Sequence, residues 1–138
     1  MKKILPLFLA ALVGLASCSK TSTPDPSPSA SITGTWSLNA ERTVTTNKST
    51  GAVTTADKSL MPGATKVSYT TNGTYQVTYN GAAAGNGTYT YSGSTLTLTG
   101  NGKTSATTVA EISANKLVTV ENTEDTGYRY TTTDTLTR

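Results

Sequence analysis

Thr65-Lys66-Val67-Ser68-Tyr69-Thr70-Thr71-Asn72-Gly73-Thr74-Tyr75-Gln76-Val77-Thr78-Tyr79 holds two alternating runs and the turn that joins them. Val67 and Tyr69 alternate with polar residues, and so do Tyr75, Val77 and Tyr79. A period of two is the mark of a strand with one buried face. Asn72-Gly73 between the two runs marks a tight turn. A two-residue loop would pair Tyr69 with Gln76 and send the two apolar sets to opposite faces. A three-residue loop, Thr71-Asn72-Gly73, pairs Tyr69 with Tyr75 and Val67 with Val77. It also puts Gly73 where a left-handed residue precedes a bulge. A slip of one residue would reverse every side chain, so the three-residue loop is expected.

The same grammar extends in both directions. Turn signals recur at Asn47 to Gly51, Asn80-Gly81, Ser92-Gly93, Asn101-Gly102, Ala114-Asn115 and Asp125 to Gly127. Strands are predicted over 33–46, 52–58, 65–71, 74–80, 86–91, 94–99, 104–113, 116–123 and 127–137. Successive hairpins at this spacing predict an all-β chain, an antiparallel up-and-down meander closing into a small barrel of about eight or nine strands. A Ser92-Gly93 loop sets Tyr89 opposite Leu96 and Gly87 opposite Leu98. An Ala114-Asn115 loop sets Ile112 opposite Leu117. The expected inward set is Trp36, Leu38, Val67, Tyr69, Tyr75, Val77, Tyr89, Leu96, Leu98, Ile112 and Leu117. The face taken by the last strand, with Tyr128 and Tyr130 or with Arg129, stays open.

Composition agrees with a sheet. Threonine occurs 31 times and tyrosine 7 times, against a single Phe. β-Branched and aromatic side chains suit a pleated, half-buried surface. Of 11 basic residues two are Lys2 and Lys3, and without them nine bases face 8 acids. The remaining charges are scattered, and no basic patch invites nucleic acid.

The N-terminus has a separate logic. Lys2 and Lys3 precede an apolar run from Ile4 to Leu15, which ends in Ala16-Ser17-Cys18. A charged start, an apolar middle and small residues at a cut form a secretory leader. The run is short for a membrane span and contains Pro6. Leu15-Ala16-Ser17-Cys18 resembles a bacterial lipobox. That resemblance implies a signal peptide over 1–17, cleavage before Cys18, and acyl chains such as palmitate on Cys18 as the membrane anchor. Ser19 in place of Asp, by resemblance to Gram-negative sorting rules, implies the outer membrane of the cell envelope. Residues 18–31, with Pro24, Pro26 and Pro28 among small polar residues, read as a tether. Extended at ~3.1 Å per residue, Ser19 to Ser31 would reach up to about 40 Å. The folded domain is expected over 32–138.

Gly34-Thr35-Trp36 opens the first strand. In order follow Thr71-Asn72-Gly73-Thr74-Tyr75, Gly87-Thr88-Tyr89-Thr90-Tyr91, Leu96-Thr97-Leu98, Glu111-Ile112-Ser113 and Lys116-Leu117-Val118. Together they resemble the small lipocalin-like lipoproteins of Bacteroidota, across about residues 32–138. The resemblance implies a calycin-type barrel in which Gly34, Trp36 and a C-terminal arginine close one end. Because the first and last strands run antiparallel, Arg138 fits that arginine better than Arg129. A planar cation over an indole face contributes ~0.5–2 kcal/mol.

Catalytic and metal chemistry find little support. The chain has no histidine and one cysteine, Cys18. The usual general base and commonest metal ligand are therefore missing. Glu121, Asn122, Glu124 and Asp125 offer oxygens, but they read as a solvated hairpin tip rather than a calcium loop. No cofactor motif and no catalytic residue are assigned, and no enzyme is expected. The candidate pocket residues are Tyr69, Tyr75, Tyr89, Tyr91, Leu96, Leu98 and Arg42. Aromatic bodies could hold an apolar ligand, or could simply pack the sheet. Arg42 shares the parity of Trp36 and Leu38 and would meet an anionic ligand if the strand stays regular. A bend near Ala40, the favoured reading, turns it to solvent instead. Asp134-Thr135-Leu136 resembles a short O-glycosylation acceptor of some Bacteroidota. The expected function is non-catalytic binding of a small hydrophobic molecule or lipid. The alternative is an envelope structural or protein-interaction lipoprotein with a filled core. It would act through loops 57–64 or 80–86, or through a sheet edge exposed by a gap between the first and last strands.

Overall fold

The computed structural model describes residues 30–138. The leader, Cys18 and the tether up to residue 29 lie outside the described residues. Nine strands follow one another: β1 (Gly34–Asn47), β2 (Val53–Ser59), β3 (Thr65–Tyr69), β4 (Thr74–Tyr79), β5 (Ala82–Ser92), β6 (Thr95–Gly100), β7 (Lys103–Ile112), β8 (Lys116–Glu124) and β9 (Tyr128–Thr137). All pairings are antiparallel, in the order β2-β1-β3-β4-β5-β6-β7-β8-β9, and β1 also pairs with β9. Eight strands thus close a barrel, and β2 is an added strand beside β1.

The turns act as their residues require. Asn80-Gly81 and Asn101-Gly102 both carry positive φ at each position (49° and 81°, 50° and 71°). That is the type I′ geometry whose twist matches paired strands. The β3–β4 hairpin has the three-residue loop, with Tyr69 opposite Tyr75, Val67 opposite Val77 and Gly73 at φ 80°. Ile112 lies opposite Leu117. The β5–β6 register differs from expectation. Tyr89 faces Leu98 and Tyr91 faces Leu96, so the loop is Gly93-Ser94 rather than Ser92-Gly93. The shift is by an even number of positions, so the four side chains keep one face. β5 also begins four residues earlier than predicted. Ala82, Ala83 and Gly85 have no alternating apolar signal, yet their backbones pair with β4.

Bulges break the simple alternation at three places. In β1 the register shifts between Leu38 and Ala40, so Asn39 is the extra residue. In β7 it shifts between Val109 and Glu111, and in the β4–β5 pair beside Val77. A bulge reverses which parity faces inward. Asn39 also marks the place where β1 changes neighbour. Residues 34–37 pair with β3, whereas 40–46 pair with β2. Its carbonyl accepts the Leu60 N–H at 2.8 Å, and its Nδ2 donates to Thr137 Oγ1 at 2.6 Å.

The core gathers Ile32, Trp36, Tyr69, Leu96, Val109, Leu117 and Leu136, with Leu38, Val67, Tyr75, Tyr89, Tyr91, Leu98 and Ile112 packed against it. Burying a side chain of this size contributes about 1.5–3 kcal/mol. Among the described residues the sheet closes on itself around its own core. The β1–β9 seam runs from Ser37 to Asn47 without a gap. No gap therefore separates the first and last strands to support the alternative interaction reading; the free edge belongs to β2, all seven of whose residues are exposed.

Candidate functional site

One end of the barrel is shut. It holds residues 30–33, the turns at 70–73, 93–94 and 114–115, and the C-terminal Arg138. Trp36 is fully buried, and its Nε1 donates to the Ile32 carbonyl at 2.7 Å. The Arg138 guanidinium lies over the indole, 3.9 Å from the ring centroid. Its Nη2 donates to the carbonyls of Ser31 (2.8 Å) and Thr33 (2.5 Å). Gly34 explains the Gly-x-Trp spacing. Its φ is +125°, and a Cβ there would stand 3.2 Å from Arg138 Nη2. Only glycine meets both conditions without strain. The arginine therefore ties the chain's entry into the barrel to its exit.

Within the barrel lies a cavity of about 240 Å³. Leu38, Val67, Tyr69, Val77, Leu96, Leu98, Leu117 and Leu136 form its apolar wall. Thr65, Ser105, Thr107, Thr119, Glu121 and Asp134 add polar groups. Thr65 and Ser105 stand near the loops of the other end, whose turns are 80–81, 101–102 and 125–127. The cavity thus rests on the closed end and leads toward the opposite one. Met61 and Tyr79, 75% and 59% exposed, flank that end beside Thr65.

Asp134 is the unusual member of the lining. It faces Glu41 on β1 and Thr119 on β8 in register, so these side chains share its face. Its Oδ1 is buried and has no hydrogen-bond partner among the described residues. Burial, reinforced by Glu41 and then Glu121, pushes its carboxyl up from 3.8 to about 6. Tyr69 also lines the cavity. Burial, helped by Tyr75, Tyr89 and Asp134, holds its hydroxyl well above the usual phenol range, so it stays a neutral donor.

The predicted pocket residues separate. Tyr69, Leu96 and Leu98 line the cavity. Tyr75 does not; its ring covers Gly87 and Gly100, which follow it across β5 and β6. Tyr89 packs edge-on against Tyr69 at 4.9 Å and donates its hydroxyl to the Thr70 carbonyl. With Tyr91, Ile32 and Ile112 it borders a shallow depression outside the closed end. Arg42 is turned away from the cavity by the Asn39 bulge. It is exposed and stands 3.6 Å from Asp57 of β2. Tyr128 and Tyr130 share the parity of Asp134 and Leu136, and Arg129 takes the other face beside Glu124.

The acidic hairpin tip is occupied by its own chain. Asp125 accepts the Gly127 and Tyr128 N–H groups and the Tyr130 hydroxyl, at 2.8, 2.7 and 2.9 Å. Glu124 stands 3.3 Å from Lys48 and 3.6 Å from Arg129. Thr135 sits mid-sheet between Ala40 and Val118. The inward Asp134, Glu121 and Glu41 were missed by sequence reasoning. The usable signal was the alternation Lys116-Leu117-Val118-Thr119-Val120-Glu121, which carries an acid onto the face of Leu117.

The lipocalin-like domain family model matches residues 32–119. The crystal structure of a lipocalin-like protein from Bacteroides uniformis is similar to this chain at 12% identity and a TM-score of 0.43, covering 73% of this chain and 96% of that one. No curated protein matches the sequence. With the closed eight-stranded barrel, the Gly34-x-Trp36 opening and a family match over most of the barrel, the chain belongs to the lipocalin-like domain family.

Proposed function

We propose that this protein is an outer-membrane-anchored lipoprotein whose barrel holds a small hydrophobic molecule, without catalysing a reaction. The cavity of about 240 Å³ with eight apolar side chains on its wall carries this reading. Ligand sites commonly measure ~300–1,000 Å³, so the occupant is small, on the order of one short acyl chain or a single ring system. Tyr69 contributes a hydroxyl that orients such a ligand without itself ionising. Cys18 supplies the anchor. The tether leads into residues 30–33 at the closed end of the barrel.

Native mass spectrometry of residues 20–138, purified gently from the host, tests the binding reading. A stoichiometric lipid or apolar metabolite is expected. A clean apo mass, unchanged after exposure to envelope lipid extract, would overturn it. Labelled palmitate should enter the full chain and fail to enter a Cys18→Ser variant.

A second reading rests on β2. Among the described residues it has one partner strand, seven exposed residues and a free edge. Such an edge can accept a strand from a partner. An apo barrel together with envelope crosslinks through residues 53–59 would favour this interaction role.

A further inference from the structure

We infer that the ligand of the barrel cavity is an amphiphile with a cationic head, such as a protonated amine, held by the carboxylates of Asp134 and Glu121. This inference rests on the cavity reading above and names the ligand class. Two independent observations carry it. The first is the make-up of the cavity's lining, which sets two carboxylates and several hydroxyls beside an apolar wall of leucines and valines. The second is the Asp134 Oδ1, which is buried and has no partner among the described residues. A buried acceptor left without a donor is costly, and a ligand that supplies one recovers that cost.

The sign of the head group follows from the neighbours. Glu41 faces Asp134 directly across β1, and Glu121 lies further along β8. Among the described residues none of the three is within ion-pair distance of a lysine or arginine. Lys58 on β2 is the register partner of Glu41, but it lies outside the cavity lining. The lining itself contains two carboxylates and no base. A fatty-acid carboxylate would add a further negative charge at short range in a partly dry site. A cation there gains from each acid instead.

Three matched eight-carbon probes test this on residues 20–138, which hold the whole closed sheet and core: octylamine, octanol and octanoate, measured by calorimetry. Octylamine should bind about tenfold or more tighter than octanol, and octanoate weakest. The Asp134→Asn/Glu121→Gln variant should lose the preference for amine while keeping octanol affinity. Octylamine stays protonated from pH 7.5 to 5, so its affinity should fall roughly tenfold over that range as Asp134 takes up its proton. Equal or tighter binding of octanol or octanoate would overturn the inference and leave the cavity reading standing. Survival of the amine preference in the double variant would do the same. Failure of all three probes to bind would overturn both.

Discussion

Replacing Asp134 by asparagine should stabilise this protein at neutral pH and leave it unchanged in acid. The carboxyl rises from 3.8 to about 6 on folding, chiefly by burial and then by Glu41 and Glu121. Its ionised form is therefore disfavoured in the folded state. Below about pH 3.8 both states hold the proton and nothing is lost. Between about 4 and 6 the unfolded chain releases its proton first, so stability falls as pH rises. Above about 6 the folded state has ionised too and the loss is complete. Without screening, this displacement is worth about 3 kcal/mol. Asp134 is only partly buried, and screening by water reduces this to about 1–2 kcal/mol. The asparagine variant is spared the loss, and its amide can donate to the neighbouring carboxylates. The assay is urea unfolding between pH 3.5 and 8, followed by the fluorescence of Trp36, the chain's one tryptophan and fully buried. The variant's advantage should be near zero at pH 3.5 and reach about 1–2 kcal/mol above pH 7. A difference that does not change with pH, or a variant weaker than the parent at pH 7.5, would contradict this account of Asp134.

Three further outcomes are expected. Leu117→Ala removes a fully buried side chain from the closed end and should cost about 3–4 kcal/mol in urea unfolding; a loss under about 1 kcal/mol would mean that the end repacks freely. Arg138→Ala should cost about 1.5–3 kcal/mol through the indole stack and two carbonyl hydrogen bonds, with Arg138→Lys recovering less than half, read from thermal unfolding. Gly87→Ala should prevent folding, because its Cβ would lie 2.0 Å from the Thr99 carbonyl oxygen; a soluble variant with native circular dichroism would count against that.

Much of the architecture was legible along the chain, because strand pairing in a meander is local. Each hairpin is set by a turn of a few residues and two alternating runs, so Asn72-Gly73 and Ala114-Asn115 specified their registers without help from elsewhere. Trp36 and Leu38, Val67 and Tyr69, Leu96 and Leu98 share their inward faces for the same reason. The β5–β6 turn was misplaced because Ser92-Gly93 and Gly93-Ser94 are both acceptable two-residue loops, and both leave the apolar side chains on one face.

What alternation alone could not settle lies beyond the bulges. Reading parity forward from Trp36 puts Arg42 inside. The extra residue at Asn39 instead puts Glu41 inside and Arg42 beside Asp57. Reading parity back from Ile112 misses Val109, because the β7 bulge reverses the face between them. Leu136 and Asp134 acquire their places only when β9 closes between β1 and β8, a pairing of chain ends about a hundred residues apart. Strands, turns and one apolar face per hairpin follow from near neighbours, so the residues in order were enough to specify them. Which side chains meet across the barrel depends on bulges and on closure, which no local pattern encodes. The hairpins of β4, β5 and β6 lay Tyr75 over glycines rather than in the cavity, whereas closure brings three acids from three strands to a site that no single segment contains.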